Sequence, residues 1–237
     1  MSTHVVERSA GAHSHLSTAA RTHVAWLLGG FALGFLVPFV FADTLDLPRD
    51  LYYAIYVVAV GSFFVLWAKR TGQALGPMFR RRWVLAVGLA LAAGAVLALI
   101  VLGKDSTTGP EGIDLIGALA WRGVVYGAAD GLLLSAFPIL AVFAIFEGTK
   151  ARQRLTGKIA IGLAALVASM AMTAVYHLGY RDFRSEKLRQ PVAGDVVWSA
   201  PTLLTLNPIG APIAHVGLHV SAVLHSYETD LFLPPHE

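Results

Sequence analysis

The chain of 237 residues contains no cysteine. That excludes disulfides, iron–sulfur ligation and thiolate zinc sites, so any metal must be held by His, Asp or Glu. Charge is scarce as well. Only 14% of residues are Asp, Glu, Lys or Arg, where soluble domains carry about 25%. The apolar stretches lack the alternation of a strand, which argues against an outer-membrane barrel. There is no Gly-x-Ser-x-Gly elbow, no phosphate-binding P-loop and no His-Glu-x-x-His zinc-protease helix. No internal repeat exceeds a few residues, and no second, soluble domain stands out. The net charge of +3 does not point to nucleic acid, because the basic residues sit in short loops where they set membrane orientation.

What is present is apolar. Hydrophobic residues make up 56% of the chain and the mean hydropathy is +0.63. They gather into Leu-, Ala-, Val- and Gly-rich blocks of about 20 residues, the length a bilayer-spanning helix needs. The expected fold is an all-α, polytopic transmembrane helix bundle, an integral protein of a bacterial cytoplasmic membrane. Six spans are predicted, at 24–42, 51–68, 83–103, within 115–146, 159–180 and 209–226. Residues 1–23, with His4, His13, His15 and His23, read as a disordered cytoplasmic tail; 24–226 form the membrane domain and 227–237 a short tail. Val40-Phe41-Ala42 resembles a signal-peptide cleavage site, but the block before it exceeds the ~7–15 residues of such a signal, so a retained span is preferred.

Local signals refine this picture. Gly30 and Gly34 offer a close helix contact, and Pro38 and Pro138 are candidate kink or break points. Tyr52, Tyr53, Tyr56 and Trp67 fit interfacial belts. Residues 198–208, with Pro201 and Pro208, read as a re-entrant or interfacial segment. The loops at 69–82 and 147–158 are basic and belong in the cytoplasm, whereas those at 43–50 and 104–114 are acidic and belong outside. Six spans then place both termini inside.

Polar residues inside a bilayer are costly and commonly functional. His215 and His219, four apart, stack two imidazoles on one helix face, a spacing that presents two nitrogens to one metal ion. Arg122, Tyr126 and Asp130 share a face in the same way. With His177 near the end of its span, these residues are expected to meet in one cavity in the outer half of the bundle. Bland roles compete with this. Arg122 can snorkel to headgroups, Asp130 can pair with Arg122, His177 can bond a carbonyl, and His225 reads as structural at the cytoplasmic boundary.

The segment Trp121-Arg122-Gly123-Val124-Val125-Tyr126-Gly127 resembles the Arg-Gly region of the CAAX-protease and bacteriocin-processing (CPBP) intramembrane proteases. Ala211-Pro212-Ile213-Ala214-His215-Val216-Gly217-Leu218-His219 is similar to the family's final histidine motif, and His177 stands where its middle histidine would. The resemblance covers residues 115–226. It implies a metal-dependent peptidase in which His177, His215 and His219 contribute to the site. The two glutamates that precede the arginine in that family are replaced by Gly117 and Ala118, and its phenylalanine before the middle histidine by Thr173. Asp130 is displaced from Ala118 by about 18 Å along an ideal helix, so no carboxylate is expected within hydrogen-bonding range of the His215 and His219 nitrogens at the depth of Gly117. Ser135, Asp130, His177, His215 and His219 together also resemble the seven-span ceramidase-like hydrolases, though order and span count fit less well.

Two functions of different class follow. One is a membrane-embedded hydrolase or protease that acts on a peptide or lipid substrate entering from the surrounding lipids. His177, His215 and His219 would bind zinc or another divalent metal, with Asp130 as general base or supporting carboxylate and Arg122 holding an oxyanion. The other is a non-catalytic CPBP-like scaffold or binding protein, favoured by Gly117 and Ala118. Metal or proton transport and haem binding form a third class, weakened by the absence of a repeat.

Overall fold

The structure is a computed structural model that describes residues 7–229 and 231–234, with side chains from residue 18 onward. Among the described residues 82% are helical, in eight helices, and there is no strand. They are α1 (Glu7–Val37), α2 (Arg49–Thr71), α3 (Leu75–Arg80), α4 (Trp83–Leu102), α5 (Gly112–Ile145), α6 (Leu155–Leu178), α7 (Arg189–Thr205) and α8 (Gly210–His225). Five of these, α1, α2, α4, α5 and α6, are long and apolar enough to cross a membrane. The chain is therefore an integral membrane protein with an all-α bundle. Helix α1 already begins at Glu7, inside the segment read as a polar tail; His4 lies outside the described residues.

α5 is the axis of the bundle. In its apolar window 72% of residues are buried, against 22–39% in the other four long helices. Small residues make this possible. Gly123, Gly127 and Gly131 recur every four positions and form one smooth face. A Cβ on Gly131 would lie 2.6 Å from Pro212 Cα and 2.7 Å from the Ala211 carbonyl oxygen, so α8 rests directly on this face. On its other side α8 touches α4, where a Cβ on Gly217 would lie 2.7 Å from Gly94 Cα. α5 also departs from regular winding on both sides of Asp130, with wide π-turns at Leu119–Tyr126 and Leu132–Ala136. Such bulges often accompany functional sites. The second ends just before Pro138, which has no N–H to donate, and the helix continues through Ile145 instead of breaking. Pro38 likewise opens a π-turn, Pro38–Thr44.

The predicted six-span path needs correction. Residues 189–205 form α7, where the sequence reads as a mixed polar loop over 181–197 and an interfacial segment over 198–208. With 17 and 16 residues, α7 and α8 are shorter than the other crossings, yet they form a hairpin running the depth of the bundle. At its turn Leu206 takes a left-handed φ of 54°, and Asn207 Nδ2 donates to the carbonyls of Phe79 (2.9 Å) and Arg81 (2.7 Å). This turn therefore sits at the basic end, beside the loop 69–82. At the other end of α8, His225 Nε2 lies 2.9 Å from the Lys104 carbonyl oxygen and Thr107 N–H donates to the His225 carbonyl. The described residues traverse the bundle seven times. Its C-terminal segment lies at the acidic end, with the loops 43–50 and 104–111, opposite to the start of the first crossing. Both termini at one end, and His225 at the basic boundary, do not hold.

α7 escaped the sequence reading because its polar side chains point inward. Asp195, Ser199, Thr202 and Thr205 are fully buried, while Val196 is 45% exposed. Averaged over a window, such a helix looks like a polar loop. The aromatic belt is revised for the same reason: Tyr52, Tyr53, Tyr56 and Trp67 are wholly buried. The three tyrosines pack with Tyr126, Tyr176 and Tyr180 in the core. Their hydroxyls form a chain in which Tyr126 bonds Tyr176, Tyr176 bonds Tyr180 at 2.6 Å, and Tyr180 bonds Tyr52 at 2.6 Å. The Gly30 and Gly34 face does make its close contact, against Phe137 and Met172.

Candidate metal centre

Asp130 lies between the two π-turns of α5 and is 5% exposed. Tyr56 Oη donates to its Oδ1 at 2.8 Å. Its Oδ2 faces α8, 3.3 Å from His219 Nε2. His215, one turn away on α8, is 1% exposed and His219 2%; their rings lie nearly parallel, 5.9 Å apart. Asp130, His215 and His219 each offer a ligand atom, all within 4.8 Å of one another. Tetrahedral zinc places its ligands at about 2.0–2.1 Å, hence roughly 3.4 Å apart.

The fit to a metal also shows in what is left unsatisfied. Nδ1 of His215 and Nδ1 of His219 are buried without a hydrogen-bond partner. Buried polar groups in native proteins are nearly always paired, so two orphaned imidazole nitrogens in this group suit a partner that accepts lone pairs. Two imidazoles and one carboxylate form a donor set used for zinc and other divalent metals. This group can hold a metal ion.

His219 is positioned by its neighbours. Gly127 leaves room for its ring, since a Cβ there would meet His219 Cδ2 at 3.1 Å. The Tyr126 ring stands edge-on to it at 5.1 Å. His215 is backed by Trp198 of α7, with ring centroids 4.4 Å apart.

The group opens onto a cavity of about 310 Å³ whose walls are mostly apolar. Leu97 and Ile100 of α4, Val197 and Trp198 of α7, and Leu231 and Phe232 of the C-terminal segment line it together with Asp130, His177, His215 and His219. Ile100 is 47% exposed on the outside of the bundle. Gln190, Pro191 and Gly194 of α7 and Pro234 of the C-terminal segment complete its lining.

His177 shares this cavity but is not one of the three close-set ligands. Its Nδ1 lies 2.8 Å from the Thr173 carbonyl oxygen. A carbonyl only accepts, so Nδ1 carries the hydrogen and Nε2 keeps its lone pair. Its ring packs edge-on between Tyr176 and Phe183. The expected three-histidine arrangement is thus replaced by two histidines and Asp130.

Arg122 stands apart from the cavity. Its guanidinium makes two 2.9 Å bonds to Asp50 and a further bond to Tyr227 Oη, at the acidic end. Gly117 and Ala118 line the same small surface hollow as Arg122 and Asp50. A Cβ on Gly117 would meet nothing within 4 Å, while Ala118 packs against the cluster of Leu97, Leu218 and Ala222. The expectation that no carboxylate lies beside the histidine pair is overturned by Asp130. The π-turns around Asp130 and the reversed course of α8 produce this meeting; an ideal helix and a six-span path do not.

Sequence reasoning missed a second buried carboxylate, Asp195, and with it Trp198. The local signal was an Asp-x-x-Trp pair inside an otherwise apolar stretch, 195–198. Comparison with protein-family models, with curated proteins and with solved structures found no match.

Proposed function

We propose that this protein is a membrane-embedded hydrolase in which Asp130, His215 and His219 hold a divalent metal, zinc, and act on a peptide or lipid substrate that enters this cavity from the surrounding lipids. The observation that carries this reading is the buried carboxylate–imidazole contact, Asp130 Oδ2 to His219 Nε2 at 3.3 Å, with His215 beside it on the floor of an apolar cavity. A scaffold has no need to bury three ligand-type groups together at the end of such a cavity, because unpaired buried polar groups cost stability.

The residues divide the work as follows. Tyr56 fixes Asp130 by bonding Oδ1, which leaves Oδ2 free to ligate. His215 and His219 supply nitrogens from one face of α8. A bound zinc ion would lower the pKa of water and polarise a carbonyl. His177 lines the same cavity with Nε2 unprotonated, the form required of a general base. It can accept a proton there and return it to a leaving group while Thr173 holds the ring in place. The apolar walls exclude bulk water and accept the hydrocarbon part of a substrate. The seven traverses agree in number with the ceramidase-like hydrolases, but Ser135 lies on Asp195 rather than at the metal group. The resemblance to CPBP proteases rests on the histidine motifs and the Arg-Gly segment alone.

Elemental analysis of the protein purified in detergent tests this reading. About one zinc per chain is expected, lost in His215→Ala and in His219→Ala with helix content retained. Hydrolysis of membrane peptides or lipids should fall with it, and His177→Ala should lower turnover while zinc remains. A protein that folds, carries no metal and takes up none on zinc addition would falsify the proposal. Iron in place of zinc would redirect it to redox chemistry, which the same donor set supports.

A further inference from the structure

Asp195 sits in the middle of α7, fully buried. Its Oδ1 lies 3.0 Å from each of Ser135 Oγ, Ser169 Oγ and Thr173 Oγ1, and accepts the Trp198 indole N–H at 2.7 Å. Its Oδ2 is buried with no partner at all. Around it the alcohols also touch one another. Ser169 Oγ lies 2.8 Å from Ser199 Oγ and 3.0 Å from the Leu134 carbonyl oxygen, and Ser199 Oγ lies 3.0 Å from Ser135 Oγ. Three helices, α5, α6 and α7, thus bring six oxygen atoms into one closed nest.

Counting hydrogens shows that this nest is incomplete. There are six oxygen–oxygen contacts of 2.8–3.0 Å. A hydroxyl has one hydrogen to give, and carboxylate and carbonyl oxygens have none. The four hydroxyls can fill four contacts, so two contacts bring lone pairs face to face. A proton on Asp195 Oδ2 would add nothing to these contacts and would itself lack an acceptor. A proton on Oδ1 would fill only one. A cation shared among the oxygens relieves both contacts and also neutralises the carboxylate, for which every donor around Oδ1 is uncharged. Unneutralised charge at this depth is expensive.

We propose that Asp195, Ser135, Ser169, Thr173 and Ser199 form a binding site for a monovalent metal cation, sodium. The donors are all oxygen, which excludes the soft and nitrogen-preferring metals. One carboxylate with neutral alcohols balances a single positive charge, whereas calcium sites commonly add further carboxylates. The short oxygen spacing favours a small ion over potassium. Trp198 connects this site to the metal centre: its N–H is held by Asp195 and its ring backs His215.

Thermal unfolding of the full chain in detergent tests the site, in sodium, potassium or choline chloride at equal ionic strength. A binding ion raises the unfolding temperature and the rise saturates. Sodium should do so in the wild type and in His219→Ala, while potassium and choline should not. Asp195→Asn and, independently, Thr173→Val should abolish the sodium response. Should Asp195→Asn fail to fold, Thr173→Val and the titration of sodium-23 line broadening by wild-type protein still decide. Equal unfolding temperatures in the three salts, or a sodium response that survives Thr173→Val and Asp195→Asn, would overturn the proposal. So would a response to pH alone, which would assign Asp195 a proton. Because His219→Ala removes only the histidine centre, failure of the hydrolase reading and failure of this one are told apart.

Discussion

Asp130 and Asp195 are both buried carboxylates near the middle of the same bundle, and their surroundings are opposite in kind. Asp130 meets an imidazole and a phenol and borders a cavity. Asp195 meets three aliphatic alcohols and an indole and borders none of the described cavities. Nitrogen donors beside an open space suit a metal that keeps a position free for substrate. Neutral oxygen donors in a closed nest suit an ion that stays. One side chain type therefore sits in two surroundings, and what faces it decides which chemistry each surrounding suits. Trp198 is the partition, bonded to Asp195 and packed against His215, the neighbour of Asp130.

The comparison breaks most readily at Asp130. Replacing it with Asn removes a charged ligand, and metal affinity should fall by at least about a hundredfold, the upper end of what loss of a supporting residue causes. Asp195→Asn should leave metal content unchanged. Equal loss in both variants, read by elemental analysis, would mean that the two regions form one site.

The next effect concerns the face on which α8 rests. Ala at Gly131 places a methyl 2.6 Å from backbone of α8, and backbone cannot give way as a flexible side chain can. Overpacking of this kind costs about 1–3 kcal/mol. It should also weaken metal binding, because His215 and His219 move with α8. Ala at Gly162, whose Cβ meets nothing within 4 Å, is the control and should unfold like wild type in mixed micelles.

A smaller change separates the two halves of Trp198. Phe keeps a ring behind His215 but removes the N–H on Asp195. A hydrogen bond to a charged group contributes about 1.5–3 kcal/mol, and the loss should appear in stability and in the sodium response. Metal content should be retained; if zinc is lost instead, the ring alone does not hold His215.

The smallest effect is expected at Arg122. Its side chain is 12% exposed and that of its partner Asp50 56%, and its bonds to Asp50 and Tyr227 lie at the acidic end, outside the lining of the histidine cavity. Arg122→Gln should alter neither metal content nor turnover. A large fall in turnover with metal intact would return Arg122 to the site.

Much of this protein follows from composition and spacing alone. Apolar blocks of bilayer length and scarce charge determine an integral helical protein, because lipid leaves few other ways to satisfy a backbone. The basic loops 69–82 and 147–158 were matched to one end, and the ends of α2, α4, α5 and α6 place them there. The four-residue spacing of His215 and His219 was enough to put both rings on one face. The spacing of Gly123, Gly127 and Gly131 carried equal information about where α8 packs. Other features were decided only in three dimensions. Hydropathy averages over a helix and is blind to the direction of its side chains, so α7, with Asp195, Ser199 and Thr202 turned inward, passed for a loop. One missed traverse reverses every later helix, which is why α8 was given the wrong direction. Whether Asp130 meets His219 depends on two π-turns and on the contact between α5 and α8, and no single segment contains that information.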